Sequence, residues 1–291
     1  MDGQVIDVLK PVLVDVFSFT IISSFNLYVA HLMIPTRRGF FCGDESIRYP
    51  FHGSTVPAIV LNIVGIIIPL ACILFFELKD TQENKKRGPT YKLAGRKLQT
   101  TYWNVFKMVS CYASGAIFCQ LMTDIGKKTI GRLRPNFIDV CKPNLSELCL
   151  MNNYSYITDY SCSVPDDEVN KSRVSFPSGH SSFSFYVAVF LVLYLQKRLK
   201  VRTLLLKPII QFLLILLAWW VALSRVMNNK HHWSDVLVGI LLGTTTAIVN
   251  TVLIHRIFSS KRPVSSSNVL AIQSVNAPST TVNSHEAHDQ L

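Results

Sequence analysis

Residues 204–225 read LLLKPIIQFLLILLAWWVALSR, an apolar run that carries a single charge at Lys207 before it ends in Ser224-Arg225. A helix that crosses a bilayer needs about 20 predominantly apolar residues, so this run is long enough. Its apolar side chains surround the helix instead of forming one stripe, which favours lipid or a buried core over a water-facing surface. The run therefore predicts a membrane-spanning helix with polar residues at its C-terminal end.

Five other runs have the same character, and together they predict an all-α membrane protein with six transmembrane helices. Hydrophobic residues make up 49% of the chain, charged residues only 16%, and the mean hydropathy is +0.31. Soluble domains usually carry a charged fraction of roughly a quarter. The fourth run is the shortest, and we expect its helix to begin earlier, near Phe176. The six predicted spans are Pro11–Met33, Val56–Phe75, Tyr102–Met122, Ser181–Leu195, Leu204–Leu223 and Trp233–Ile254.

The basic residues predict the orientation of these spans, because Lys and Arg accumulate in cytosolic loops. Residues 79–97 carry seven, residues 197–207 carry five, and three more lie within residues 256–262. These segments and both termini are therefore predicted to be cytosolic, and the first span to be an uncleaved anchor. Residues 35–55, 123–175 and 228–232 then face the lumen or the exterior. This distribution explains most of the net charge of +11, so no nucleic-acid partner is expected.

The loop over residues 123–175 carries the features of an oxidising compartment. It holds all three Asn-x-Ser sequons of the chain, at Asn144, Asn153 and Asn170. Disulfides can form in the same compartment, but the sequence leaves the pairing open; the candidate cysteines are Cys42, Cys141, Cys149 and Cys162. The loop is large enough to pack as a cap over a six-span core of residues 1–258. Residues 259–291 are rich in Ser, Thr, Asn and Val and predict a disordered cytosolic tail.

A lysine and an arginine seven residues apart follow the third run, within the sequence KKTIGRLRP at residues 127–135. If the helix continues, Lys127 and Arg134 share one face, and Pro135 marks where the helix ends. The planar fork of arginine suits phosphate. Taken alone, the cluster also fits cations that snorkel to lipid headgroups. However, these cations lie on the side where positive charge is scarce.

The tetrapeptide Pro177-Ser-Gly-His180 precedes the fourth run and predicts the start of a helix. Proline fits the first helical position, and Ser178 and Gly179 suit the cap region. Free backbone N–H groups and the positive end of the helix dipole make such a start an anion site, into which His180 would project. The plainer interpretation is an ordinary helix cap with an interfacial histidine.

Two histidines and an aspartate gather at the entrance to the sixth run. Asp235 lies four residues after His231, so its carboxylate can accept the imidazole N–H and leave the other ring nitrogen free to attack. His232 reaches Asp235 as well, and the spacing alone does not decide between the two histidines. Arg225 ends the fifth run and can reach the same phosphate through a short turn.

Together these segments match the three-part signature of the type 2 phosphatidic acid phosphatase superfamily. The matching patterns are Lys127-x6-Arg134-Pro135, Pro177-Ser-Gly-His180 and Ser224-Arg225-x5-His231-x3-Asp235. The chain most resembles the animal lipid phosphate phosphatases within that superfamily, over the core through about residue 256.

The resemblance implies a role for each matching residue. It makes His231 the nucleophile, Asp235 the carboxylate that orients it, and His180 the general acid and later base. It places His232 outside the motif. The phosphate-binding set that it implies is Lys127, Arg134, Ser178, Gly179 and Arg225.

The resemblance further implies a lipid phosphate phosphohydrolase that needs no metal or other cofactor, with its active site at the lumenal or extracellular ends of helices three to six. The implied substrates are phosphatidate, lysophosphatidate, sphingosine-1-phosphate and ceramide-1-phosphate, and homo-oligomers are expected. The implied location is the plasma membrane, internal membranes or both. The alternatives are a glucose-6-phosphatase, a polyprenyl diphosphate phosphatase, or a catalytically silent lipid-binding scaffold.

Overall fold

The structure is a computed structural model that describes residues 5–83, 90–149 and 154–259. It is mostly helical, and six of its helices are long and apolar enough to cross a membrane, which confirms the predicted six-span architecture. The α-helices within the described residues are α1 (Leu9–Leu27), α2 (Ala58–Glu83), α3 (Thr100–Ile130), α4 (Phe137–Cys141), α5 (Leu145–Leu148), α6 (Asp166–Ser172), α7 (Gly179–Arg198), α8 (Leu206–Met227) and α9 (Trp233–Ser259). A π-helical turn at Tyr28–Leu32 extends α1.

Several helix boundaries differ from the prediction, including the end of α2, which continues to Glu83, eight residues beyond the predicted end at Phe75. The fourth span begins at Gly179 and not near Phe176, because Ser178 is its N-cap. The third span continues to Ile130, eight residues beyond the predicted end at Met122. The predicted tail lies outside the described residues, apart from Ser259.

Helix α3 ends before it reaches Arg134, so the prediction that Lys127 and Arg134 share one helical face is wrong. Gly131 closes the helix in the left-handed conformation, with φ of 60°, and its N–H donates to the carbonyl of Lys127. A Cβ at this glycine would collide with the backbone of Thr36, so both the conformation and the packing require glycine. Lys127 therefore lies on the last helical turn, and Arg134 lies on the non-helical chain after it.

Helix α7 is the centre of the bundle, where it packs against α2, α3 and α8. Large side chains such as Tyr186 and Phe190 are fully buried on it. Helix α9 also approaches it closely, since a Cβ at Gly239 would lie 2.6 Å from the carbonyl oxygen of Ser178. Small residues allow helices in membranes to come this close. The first turns of α7 and α9 are thereby brought together.

The segments at this end of the bundle fold into a cap, which we define as residues 33–57, 131–149 and 154–178. Its core includes Phe40, Ile47, Phe137, Tyr160 and Val169. The disulfides Cys42–Cys149 and Cys141–Cys162 connect its parts, and β2 (Phe40–Phe41) pairs with β5 (Tyr156–Ile157). The structure thus gives the disulfide pairing that the sequence left open.

The opposite end of the bundle carries a small sheet that the sequence did not predict. Its strands are β1 (Val5–Asp7), β3 (Thr90–Leu93) and β4 (Arg96–Leu98), with β1 parallel and β4 antiparallel to β3. Nearby, Arg198 at the end of α7 forms an ion pair of 2.6 Å with the buried Glu77 of α2. The two ends of the bundle therefore differ in construction.

Candidate active site

The first turn of α7 forms the floor of the candidate site. Ser178 is fully buried, and its hydroxyl accepts the N–H of Ser181, so it caps the helix as the sequence predicts. Pro177 precedes this cap and does not occupy the first helical position, which Gly179 takes instead. A Cβ at Gly179 would lie 2.9 Å from the Nζ of Lys127, so the ammonium group of α3 rests against this turn. The ammonium also pairs with Asp124 at 3.0 Å.

Two arginines bring guanidinium groups to the same place from different segments. Arg225 comes from the last turn of α8 and is 3% exposed. Arg134 comes from the cap, where its backbone N–H donates to the carbonyl of Ser172. The Nε atoms of both are buried and have no hydrogen-bond partner among the described residues. Burial and the charge of Arg225 lower the pKa of Arg134 to about 10, so it stays cationic at neutral pH. Such donors suit a phosphate oxyanion.

His180 projects from the first turn of α7 as predicted, and its ring contacts the backbone two residues before α2 begins. Its Nε2 lies 3.1 Å from the carbonyl oxygen of Val56. A carbonyl can only accept, so this nitrogen carries the hydrogen. Arg225 donates to the same oxygen at 3.4 Å. Two donors of the candidate site therefore converge on one oxygen.

His231 is 3% exposed and lies in the turn between α8 and α9. Its Nδ1 lies 2.6 Å from the backbone carbonyl of Ser175, so that nitrogen carries the hydrogen and the Nε2 lone pair is free. Burial, followed by the charges of Arg134 and Arg225, holds the pKa of His231 well below its usual range. The imidazole is therefore neutral at physiological pH, as a nucleophile must be.

The predicted hydrogen bond between His231 and Asp235 is wrong, because other donors occupy the carboxylate. Oδ2 of Asp235 accepts from the Ser175 hydroxyl at 2.6 Å and lies 3.2 Å from the Nδ1 of His232. Oδ1 accepts from Arg132 at 2.5 Å. Of the two histidines, it is therefore His232 that pairs with the aspartate. Asp235 still reaches His231 indirectly, because Ser175 contacts both residues.

The structure brings all eight predicted site residues together at one end of the bundle. Charge interactions link His231 to Lys127, Arg134 and Arg225, and link His180 to the same three cations. Ser175 and Val56 belong to no motif, so the sequence does not predict their place in the site, and Arg132 lies outside the signature positions. Among the described residues, no cluster of three or more His, Cys, Asp or Glu side chains is placed to hold a metal ion.

Two of the predicted glycosylation sites lie in the cap and differ in accessibility. Asn144 is exposed and precedes the short helix α5. Asn170 is half-buried within α6, and the Ser172 hydroxyl of its sequon is buried. Asn153 lies outside the described residues.

Comparison with known proteins identifies relatives of the chain. The model of the PAP2 superfamily matches residues 104–259. Phospholipid phosphatase 1 of Rattus norvegicus is 39% identical over 229 residues, which cover 78% of each protein. Phospholipid phosphatase 2 of the same species is 35% identical over 87% of this chain and 89% of the relative.

A Drosophila melanogaster protein named "Putative phosphatidate phosphatase" is 43% identical over 74% of this chain. The aligned region spans only 60% of that protein's own length. No solved structure matches the chain.

Proposed function

The chain belongs to the PAP2 superfamily and, within it, to the lipid phosphate phosphatases, and we propose that it hydrolyses lipid phosphate monoesters through a phosphohistidine at His231. The observation that carries this proposal is the neutral, buried His231, whose free Nε2 lies within the field of Lys127, Arg134 and Arg225. A nucleophile beside phosphate-binding cations is the arrangement that phosphoryl transfer requires.

In the first step, the Nε2 of His231 attacks phosphorus in line with the bond to the lipid oxygen. Negative charge on the equatorial oxygens is stabilised by the three cations and by the N–H groups that begin α7. His180, as an imidazolium that carries hydrogens on both ring nitrogens, donates one of them to the departing alkoxide and becomes neutral. The lipid alcohol leaves, and a phosphate–nitrogen bond remains on His231.

In the second step, His180 accepts a proton from water as the water oxygen attacks the phosphohistidine. The bond to Nε2 breaks, inorganic phosphate is released, and His231 returns to its neutral form. This route requires no metal ion. The substrates we propose are phosphatidate, lysophosphatidate, sphingosine-1-phosphate and ceramide-1-phosphate.

Ser175 is proposed to position the nucleophile, because it joins His231 to the only carboxylate of the signature. Its carbonyl holds the ring of His231, and its hydroxyl binds Asp235. Asp235 is fully buried and also accepts from Arg132. The carboxylate thus fixes the backbone at residue 175, and that backbone fixes the imidazole. The orienting role predicted for Asp235 is retained in this proposal, but it acts through Ser175.

The site is proposed to face the lumen or the exterior. The cap that carries Arg134 and Ser175 also holds both disulfides and the exposed sequon at Asn144. Oxidation and glycosylation both occur on that side of a membrane. The positively charged segments at the other end then face the cytosol, with both termini.

The test is a substrate panel assayed with purified protein in detergent, with and without a chelator of divalent cations. The four lipid phosphates should be hydrolysed equally well in both conditions, whereas glucose-6-phosphate and polyprenyl diphosphate should be poor substrates. Acid quenching should trap phosphorylated protein in the wild type but not in His231→Ala. Phosphorylation that persists in this variant, or activity that disappears with the chelator, would contradict the mechanism.

A further inference from the structure

A cavity of about 650 Å³ lies in the cap beside the candidate site, and the proposed mechanism does not use it. Two of its lining residues, Arg134 and Lys230, border the catalytic residues: Arg134 acts electrostatically on His231, and Lys230 directly precedes it in the chain. His231, His180 and Arg225 do not line the cavity. It is therefore a neighbouring space, which shares Arg134 with the proposed phosphate-binding residues.

The lining of this cavity is strongly cationic. It includes four basic side chains, Arg134, Lys142, Lys171 and Lys230, against two acidic ones. Lys142 and Lys171 are exposed, whereas Lys230 is only 6% exposed. The positive charge therefore extends from the outer surface of the cap to the edge of the catalytic site.

The acidic residues do not cancel this charge at the deep end. Both are exposed, and Asp139 accepts the backbone N–H of Phe51 at 2.8 Å. The Nζ of Lys230 lies 3.5 Å from the centre of the Phe51 ring, so an aromatic face accompanies this buried ammonium. Burial, together with Arg134 and Arg225, lowers the pKa of Lys230 to about 8, which is the response of a cation held near other cations.

A buried polar group of the lining also lacks a protein partner. The Oδ1 of Asn136 makes no hydrogen bond among the described residues, and Asn136 is 1% exposed. A buried polar group without a partner costs free energy unless a bound molecule satisfies it. The amide of Asn136 can also turn its Nδ2–H₂ toward an anion, since its oxygen makes no bond that holds it.

We propose that this cavity is a second phosphate-binding site, on the aqueous side of the catalytic site, that takes a phosphate dianion. The proposal rests on the proposed function, which generates inorganic phosphate next to Arg134. Two sources supply this chemistry: the inorganic phosphate that leaves after hydrolysis, and the phosphate headgroup of an incoming lipid. Lys142 and Lys171 then provide the outer contacts, and Lys230 and Arg134 the inner ones.

The test uses inorganic phosphate as the probe and the double variant Lys142→Gln/Lys171→Gln, which leaves the catalytic residues unchanged. The matched control is Arg38→Gln/Lys128→Gln, which removes two cations from the same end of the molecule but none from the cavity lining. Inhibition by phosphate should weaken roughly fivefold or more in the cavity variant, since an exposed charge pair contributes up to about 1 kcal/mol. The control should change less than about twofold.

The Michaelis constant distinguishes the two sources. A constant for lysophosphatidate that stays at the wild-type value identifies released phosphate as the occupant, whereas a parallel rise shows that the lipid headgroup also binds there. Equal inhibition constants in wild type and cavity variant, or equal weakening in the control, would overturn the proposal.

A binding measurement keeps this test separate from the proposed function. Wild type should show a larger rise in melting temperature with added phosphate than the cavity variant does, whether or not the protein turns over lipids. The two proteins should melt alike without phosphate, which shows that the variant is folded. Absence of lipid hydrolysis alongside this difference would contradict the proposed function only; identical phosphate-induced shifts would contradict the second site.

Discussion

The backbone carbonyl of Ser175 fixes which nitrogen of His231 carries the hydrogen, although Ser175 is not a residue of the signature. An imidazole held by a neutral carbonyl gains orientation without a charged partner at its side. The carboxylate of Asp235 makes no hydrogen bond to His231 but accepts one from the hydroxyl of the same serine. Orientation of the nucleophile therefore depends on a residue outside the signature.

The first prediction tests this arrangement. Ser175→Ala keeps the carbonyl that holds His231 but removes the hydroxyl that ties it to Asp235. We expect kcat to fall by roughly tenfold or more, since hydrogen bonds to charged groups contribute about 1.5–3 kcal/mol. The matched control is His232→Ala, which also removes one partner of Asp235 but leaves both groups of Ser175 in place. The measurement is kcat of both folded variants under steady-state conditions. An equal fall in kcat for the two variants would contradict the role of Ser175.

The second prediction concerns the two arginines. Arg134→Lys and Arg225→Lys keep the charge but cannot donate two hydrogen bonds to two phosphate oxygens. We expect each to lose on the order of 2–4 kcal/mol of transition-state stabilisation, mainly in kcat. Cations that merely anchor helix ends would tolerate lysine, so near-normal turnover in both folded variants would remove them from the site.

At the scale of elements, the spans were predictable because apolar runs of bilayer length have few other interpretations. The end of α3 was not, since the continuation past Met122 depends on polar residues that pack against α7. Thr123, for example, lies on this extension, and its hydroxyl is 2.9 Å from that of Ser182 on α7. Gly131 then ends the helix. A glycine of this kind is a recognised stop signal for a helix, and it precedes Pro135, the predicted end of α3, by four residues.

The candidate site was predictable to the extent that its residues belong to a spaced signature. Spacing placed His231, His232 and Asp235 within reach of one another but left open which histidine meets the carboxylate. In the structure, His232 is the histidine whose ring contacts Asp235. The other side-chain donors to this carboxylate are Ser175 and Arg132, which are distant from it in the sequence. Contacts between such distant segments leave no periodic or local pattern in a sequence.

The third prediction concerns the sequons of the cap. Asn144 is exposed, whereas Asn170 is half-buried in α6 and the serine of its sequon is buried. Asn144→Gln should therefore remove a glycosidase-sensitive shift in electrophoretic mobility, and Asn170→Gln should not change the shift. Loss of the shift in the Asn170 variant alone would contradict the prediction, because it would mean that Asn170 carries the glycan.

At the scale of the whole molecule, basic residues are concentrated in the connectors that we place in the cytosol. The fourth prediction is that an Asn-x-Ser acceptor inserted within residues 79–97 stays unglycosylated, because that segment does not enter the lumen. The native acceptor at Asn144 serves as the positive control in the same protein. A glycan on the inserted acceptor would require the inverted orientation.

The network at Asp235 implies that this residue serves the architecture as well as the chemistry. Its side chain and backbone join the segment after α3, the segment before α7 and the first turn of α9, through Arg132, Ser175 and Ser178. Loss of a buried hydrogen-bonded charge commonly costs about 3–5 kcal/mol. The side chain of His231, by contrast, makes one hydrogen bond among the described residues, to the carbonyl of Ser175.

The two residues should therefore separate in a saturation mutagenesis experiment that scores cellular abundance alongside turnover. Substitutions at His231 should yield normal amounts of inactive protein. If subunits associate, such alleles should be dominant-negative. Substitutions at Asp235 should deplete the protein itself through quality-control degradation, a simple null. Equal abundance at both positions would mean that the carboxylate contributes nothing to holding the helices together.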